Sequence, residues 1–194
     1  MKILVLNSGS SSQKNCLYDI GNTLPAHPPA PAWEGKIEWN GDHADIQAQN
    51  SQGVQLKDRV KVASRSDAIE CLLDTLWSGK LRVLSAPSEI DAVGHRVVHG
   101  GKSLQEATAI TPEVKSAIAR MSVFAPLHNR AELEGIEIIE KRIGGQVRSL
   151  CRQRSLRSIV RRRVRKIPIG PRSCAFTMSW SVSSLRRSYL STAR

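Results

Sequence analysis

Lys2-Ile3-Leu4-Val5-Leu6-Asn7-Ser8-Gly9-Ser10-Ser11-Ser12-Gln13-Lys14 is an apolar run that breaks into a polar, glycine-containing turn. Ile3–Leu6 reads as a buried strand and the serines as the bend after it. Asn15–Ile20 is apolar enough to return as a second strand, so a hairpin is expected around the turn. Gly21–Pro31 reads as a surface loop. Beyond it Trp33, Ile37 and Trp39 alternate with Glu34, Lys36 and Glu38, the period of a half-buried strand. Asn40-Gly41 predicts a type I′ hairpin turn. Ala44, Ile46 and Ala48 continue the alternation, and Val54 and Leu56 mark a third such piece.

Helices follow. Ser66-Asp67 is expected to cap a segment in which Ile69, Leu72, Leu73, Leu76 and Trp77 recur at helical spacing. Thr111-Pro112-Glu113 supplies a cap, an N1 proline and a first-turn acid. Asn129 with Glu132 has the spacing of a capping box. Leu133, Ile136, Ile139 and Ile143 then share one face, and Gly144-Gly145 stops the helix. Ile90–Val98 is an apolar strand between the first two helices. Hairpins followed by strand–helix alternation predict an α/β domain, a mixed β-sheet with flanking helices.

Charge divides the chain. Residues 1–147 carry 16 Lys+Arg against 17 Asp+Glu, and residues 148–194 carry 13 Lys+Arg and no acid. The whole formal charge of +12 therefore comes from the second stretch. Two units are expected: a folded domain over 1–147 and a basic, Arg/Ser-rich, disordered tail over 148–194. A hydrophobic content of 40% excludes a wholly disordered chain. No apolar run is long enough to span a bilayer, and the opening run is too short for a signal peptide. Cys16, Cys71, Cys151 and Cys174 lack metal-site spacing. They read as reduced thiols of a cytoplasmic protein.

Three segments can carry chemistry. The Asn7–Lys14 turn offers serine hydroxyls, main-chain N–H groups and the Lys14 cation to phosphate oxygens. It lacks the pattern of a P-loop, and such a turn is often only a turn. In His95-Arg96-Val97-Val98-His99-Gly100-Gly101, an arginine in an apolar strand needs an anion. That anion is either a ligand or an internal carboxylate. His95 and His99 read as structural. In Phe124-Ala125-Pro126-Leu127-His128-Asn129, His128 reads as a turn histidine rather than a substrate contact.

Together the Asn7–Lys14, His95–Gly101 and Ala125–Asn129 segments resemble the acetate kinase family, in order and context, over about residues 1–147. The Pro-containing loop with Trp33 and Trp39 looks like a bacterial, cyanobacterial-type version. The resemblance implies the N-terminal lobe of an actin-like (ribonuclease H-like) ATPase fold, here incomplete. It implies reversible phosphoryl transfer from ATP to acetate, giving acetyl phosphate and ADP with Mg²⁺. It also implies a magnesium-site role for Asn7, nucleotide binding by Ser10, Ser11, Ser12 and Lys14, and acetate or acetyl-phosphate binding by Arg96.

The chain departs from that pattern near Val147. The family runs on through a strand into Phe-Asp-Thr-Ala-Phe-His, whose Asp is catalytic, whereas the last acid here is Glu140. No catalytic residue of the family is therefore expected in this chain, and the family's homodimer is expected only if its C-terminal half were present. A frame-shifted coding sequence accounts for a tail rich in Arg and Ser without acids. The rivals are a non-catalytic protein whose basic tail binds nucleic acid non-specifically, and a non-catalytic paralogue with an inert tail.

Overall fold

The computed structural model describes residues 1–21, 29–101, 104, 106–144 and 147–153. Eight strands form one sheet: β1 (Lys2–Ser8), β2 (Ser12–Asp19), β3 (Trp33–Asn40), β4 (His43–Asn50), β5 (Gln55–Lys61), β6 (Ala92–Val97), β7 (Thr108–Ala109) and β8 (Arg148–Gln153). Their order is β5-β4-β3-β2-β1-β6-β8-β7. Strands β1 to β5 are an antiparallel meander. Strand β6 lies parallel to β1, and β8 lies parallel to β6. Among the described residues three α-helices, α1 (Arg65–Asp74), α2 (Pro112–Met121) and α3 (Pro126–Ile143), and a 3₁₀ turn over Pro87–Glu89 occupy the connections. The mixed sheet with flanking helices is the architecture expected from the sequence.

Alternation decides the faces. Leu4, Leu6, Leu17, Trp33, Ile37 and Ile46 point to one side, where they bury Ile69, Leu72 and Leu73 of α1 and Ile138 and Ile139 of α3. Ile118 of α2 packs on Val97, Ile136 and Cys151. Ile3, Val5, Cys16, Tyr18, Ala92 and Leu150 form a separate buried cluster turned away from α1 and α3. Each fully buried aliphatic side chain contributes roughly 1.5–3 kcal/mol, so the helix-side cluster dominates. Among the described residues no helix is long and apolar enough to cross a membrane.

Several local expectations shift. Asn40 pairs with His43, so the loop of the β3–β4 hairpin is Gly41-Asp42. Gly41 has φ +66° and no non-glycine residue described has a positive φ. Type I′ geometry needs positive φ at both loop residues, so this turn is not type I′. The cap of α1 is Ser64 rather than Ser66. The Ser64 hydroxyl accepts from the Asp67 N–H, and Asp67 reaches back to the Ser64 N–H. Asn129 and Glu132 do not cap α3, because Pro126 already starts that helix three residues earlier. Cys71 and Cys151 are free thiols, as expected, whereas Cys16 is disulfide-bonded, which corrects the expectation for that residue. The six residues of β8 belong to the basic stretch, and the rest of that stretch, 154–194, lies outside the described residues.

The cap makes a separable prediction. Ser64→Ala should destabilise the domain by about 1 kcal/mol and Ser66→Ala by a few tenths at most. Denaturant unfolding of the two variants checks it, and equal losses would place the cap wrongly.

Candidate functional site

Strand β1 delivers Asn7 to the end of the sheet, and β6 delivers Arg96 beside it. The parallel register pairs Leu6 with His95, so the next residues along are neighbours. Arg96 donates from Nη1 to Asn7 Oδ1 at 2.6 Å. Across the hairpin Asn7 pairs with Lys14. Three residues singled out by sequence, two of them 89 positions apart, therefore meet at one place.

The serine turn is held from inside. Gly9 N–H donates to the Ser12 carbonyl at 2.8 Å, and Trp39 N–H to the Ser11 carbonyl at 3.2 Å. Arg65 donates to the Ser10 carbonyl at 2.7 Å and the Gly9 carbonyl at 2.8 Å. Four successive carbonyls are thus satisfied by the protein, and the Ser10 and Ser11 side chains are exposed. A loop whose carbonyls are occupied no longer presents those dipoles to an anion. Arg65 lies over the Trp39 ring at 3.7 Å and pairs with Glu134 at 3.3 Å.

Buried polar groups brace the same region. Ser8 donates to Gln13 Oε1 at 2.9 Å, and Gln13 donates to Asn15 Oδ1 at 3.0 Å. Gly135 of α3 lies on this chain of bonds. A Cβ there would come within 2.8 Å of Ser8 Oγ, so only glycine allows the approach. Further along α3, both Glu132 carboxylate oxygens accept from the Val98 N–H, at 2.9 and 3.1 Å. Asn129 donates to the His99 carbonyl at 2.8 Å and the Ile118 carbonyl at 3.1 Å. The two residues read as a capping box fasten the exit of β6 to α3 and α2. Burial raises the Glu132 carboxyl to about 8, against the lowering pull of the Val98 N–H and Arg96. Burial lowers His95 to about 3, which fits a structural, neutral imidazole. His128 is exposed in the first turn of α3.

Sequence reasoning missed Arg65, Gln13, Glu132 and Gly135 as parts of the site. An arginine just after a helix cap gives no local sign of the loop it will grip. Magnesium fits only in part. Among the described residues no three His, Cys, Asp or Glu gather to hold a metal. Asn7 Oδ1 already accepts from Arg96, which leaves one lone pair and the serine hydroxyls as hard oxygen donors.

The model of the acetokinase family matches residues 2–149. The chain is 51% identical over 146 residues to an acetate kinase of Cyanothece sp., covering 74% of this chain and 36% of that protein. It is 51% identical over 150 residues to an acetate kinase of Gloeobacter violaceus, covering 76% and 37%. Among solved structures, Porphyromonas gingivalis acetate kinase superposes with TM-score 0.69 at 33% identity, over 78% of this chain and 37% of that one. A propionate kinase from Francisella tularensis gives 0.64 at 27%, over 78% and 36%. The neighbours carry the actin-like ATPase fold, and the chain spans little more than a third of them.

The two buried titrating groups set opposite pH slopes. His95 is neutral when folded but protonates below about 6.5 when unfolded, so stability falls with acidification from there toward pH 3. Glu132 keeps its proton when folded but loses it above about 4.5 when unfolded, so stability falls from there up to about pH 8. The slopes oppose each other between about pH 4.5 and 6.5, where a plateau is expected. Each limb has a limiting slope of about 1.4 kcal/mol per pH unit. Glu132→Gln should flatten the alkaline limb and His95→Gln the acid limb. Unfolding free energies from pH 3 to 8.5 measure both, and unchanged limbs would refute the assignment.

Proposed function

The chain belongs to the acetokinase family, and on that premise we propose that it supplies one half of a site for reversible phosphoryl transfer between ATP and acetate. The contact of Arg96 with Asn7, beside Lys14 and the serine turn, carries the reading. Phosphoryl transfer needs positioned positive charge more than covalent chemistry. In this reading the Arg96 guanidinium binds the acetate carboxylate or acetyl phosphate through charge-assisted hydrogen bonds. Asn7 fixes the orientation of that guanidinium. Lys14 and the hydroxyls of Ser10, Ser11 and Ser12 take the nucleotide phosphates. Magnesium, when bound, neutralises phosphate charge. Asn7 would contribute its remaining lone pair and the rest of the oxygens would come from the phosphates. The setting proposed is the cytoplasm, where ATP and acetate are available.

We also propose that a polypeptide of these 194 residues does not turn over alone. The family resemblance places its catalytic acid just beyond the strand equivalent to β8, and no Asp or Glu follows Glu140. The basic composition of 148–194 is read as a shifted coding frame. Losing one preorganised electrostatic group typically costs about 10²–10³ in rate, and several are absent together.

A hydroxamate assay on the purified chain should show no metal-dependent acetyl phosphate above background. With a family-type second half joined after Val147, magnesium-dependent activity should appear. There Arg96→Ala should lower kcat/KM for acetate by about 10²–10³ with little change in melting temperature. Lys14→Ala should act mainly on ATP. Turnover by the 194-residue chain would overturn the second proposal, and a restored protein without acetate kinase activity would overturn the first.

A further inference from the structure

We propose that the outer strands β2 to β5 carry an anion-binding groove for a linear oligophosphate. The observation is one of register. Lys14 pairs with Lys36, Lys36 with Gln47, and Gln47 with Lys57. Residues paired across a sheet project to the same face, so these side chains form a single row across four strands. Neighbouring strands are about 4.8 Å apart, so Lys36 sits beside Lys14 and Lys57 about 10 Å further on. A surface cavity of about 340 Å³ lies along the row, lined by Lys14, Lys36, Gln47 and Lys57 and, in the next row over, by Glu34, Gln49 and Gln55.

The flanks define the shape of the ligand. On one side of the row Glu34 accepts from Gln49. On the other, Glu38 pairs with Lys36 at 2.6 Å and Asp45 pairs with Arg59 at 2.6 Å. An anion broad enough to cover these carboxylates is repelled, whereas a narrow one running across the strands meets the ammonium groups and the Gln47 amide; the Gln49 and Gln55 amides already donate to Glu34 and Gln49. The Lys36–Glu38 pair is partly exposed, and such pairs hold by under about 1 kcal/mol, so Lys36 can turn to a ligand. Nucleic acid fits less well. Trp33 and Trp39, the aromatic residues of β3, sit at alternate positions to Glu34, Lys36 and Glu38 and belong to the helix side. The row therefore offers bases no ring to stack on. Toward β1 the row runs on through Asn7, Arg96 and Arg152, so a long phosphate chain could extend inward. The groove itself needs only the strand register and does not rest on phosphoryl transfer.

Isothermal titration of the full 194-residue chain with sodium tripolyphosphate and with orthophosphate, at 0.15 M salt, tests it. Tripolyphosphate is expected to bind at least about 10-fold tighter, since several charge-assisted contacts form at once. Lys36→Gln with Lys57→Gln should weaken tripolyphosphate about 5- to 10-fold, and Lys80→Gln, outside the row, should leave it unchanged. Amide resonances of Gln47, Gln49 and Gln55 should shift on titration. Unchanged affinity in the double variant, or shifts confined to residues after Gln153, would assign binding to other cations and overturn the groove. Tighter binding of a single-stranded oligonucleotide through Lys36 and Lys57 would overturn the ligand class. Weakened tripolyphosphate binding with unchanged ATP binding in the Lys36→Gln, Lys57→Gln variant would separate the groove from the phosphoryl-transfer site.

Discussion

The Arg65 guanidinium ties the turn after β1 to strand β3 and to helices α1 and α3. It grips the carbonyls of Gly9 and Ser10, lies over the Trp39 ring and pairs with Glu134. The turn after β1, strand β3 and helices α1 and α3 thereby meet on one planar group. A lysine could supply the charge but not the fork that reaches two carbonyls while stacking on indole. With its carbonyls held from behind, the serine turn is fixed before any ligand arrives. Preorganisation of that kind is what the proposed phosphoryl transfer would ask of this turn.

Helix α3 performs a second fastening. Asn129 and Glu132 lie one turn apart and hold the β6 exit at His99 and Val98, while Gly135, a turn further on, admits Ser8 of β1. The strands that carry Asn7 and Arg96 are thus pinned to the same helix. Fixed backbones thus present the two side chains to each other, and they meet at 2.6 Å. The cost is a carboxyl in an apolar setting, seen in the raised affinity of Glu132 for its proton.

Alternation made the sheet legible in the sequence. Trp33, Ile37, Ala44, Ile46 and Ala48 are buried as their spacing required, and Thr111 and Pro112 open α2 as read. The errors share a cause. A spacing of three residues serves both a capping box and two groups on one face of a helix interior, so Asn129 and Glu132 satisfied either interpretation. Pro126 decided between them, and its weight shows only once the helix is seen to begin there. At the site, Asn7, Lys14 and Arg96 were legible because polar or charged groups beside apolar strands need a reason. Arg65 and Gly135 were not, since their partners lie far off in sequence and no local pattern encodes long-range register.

Strand β8 shows how little side-chain chemistry a sheet needs to recruit a strand. Arg148–Gln153 pairs with β6 in full register, with Leu150 and Cys151 as its buried apolar anchors on opposite faces. Strand β8 lies between β6 and β7, and its backbone pairs on both sides although arginine stands at two of its six positions. The consequence falls on the site. Register sets Arg152 directly beside Arg96, on the face that also carries Asn7, Lys14 and Lys36. Register alone therefore places a side chain of the basic stretch beside the pair that β1 and β6 build, and nothing local in that stretch announces the position.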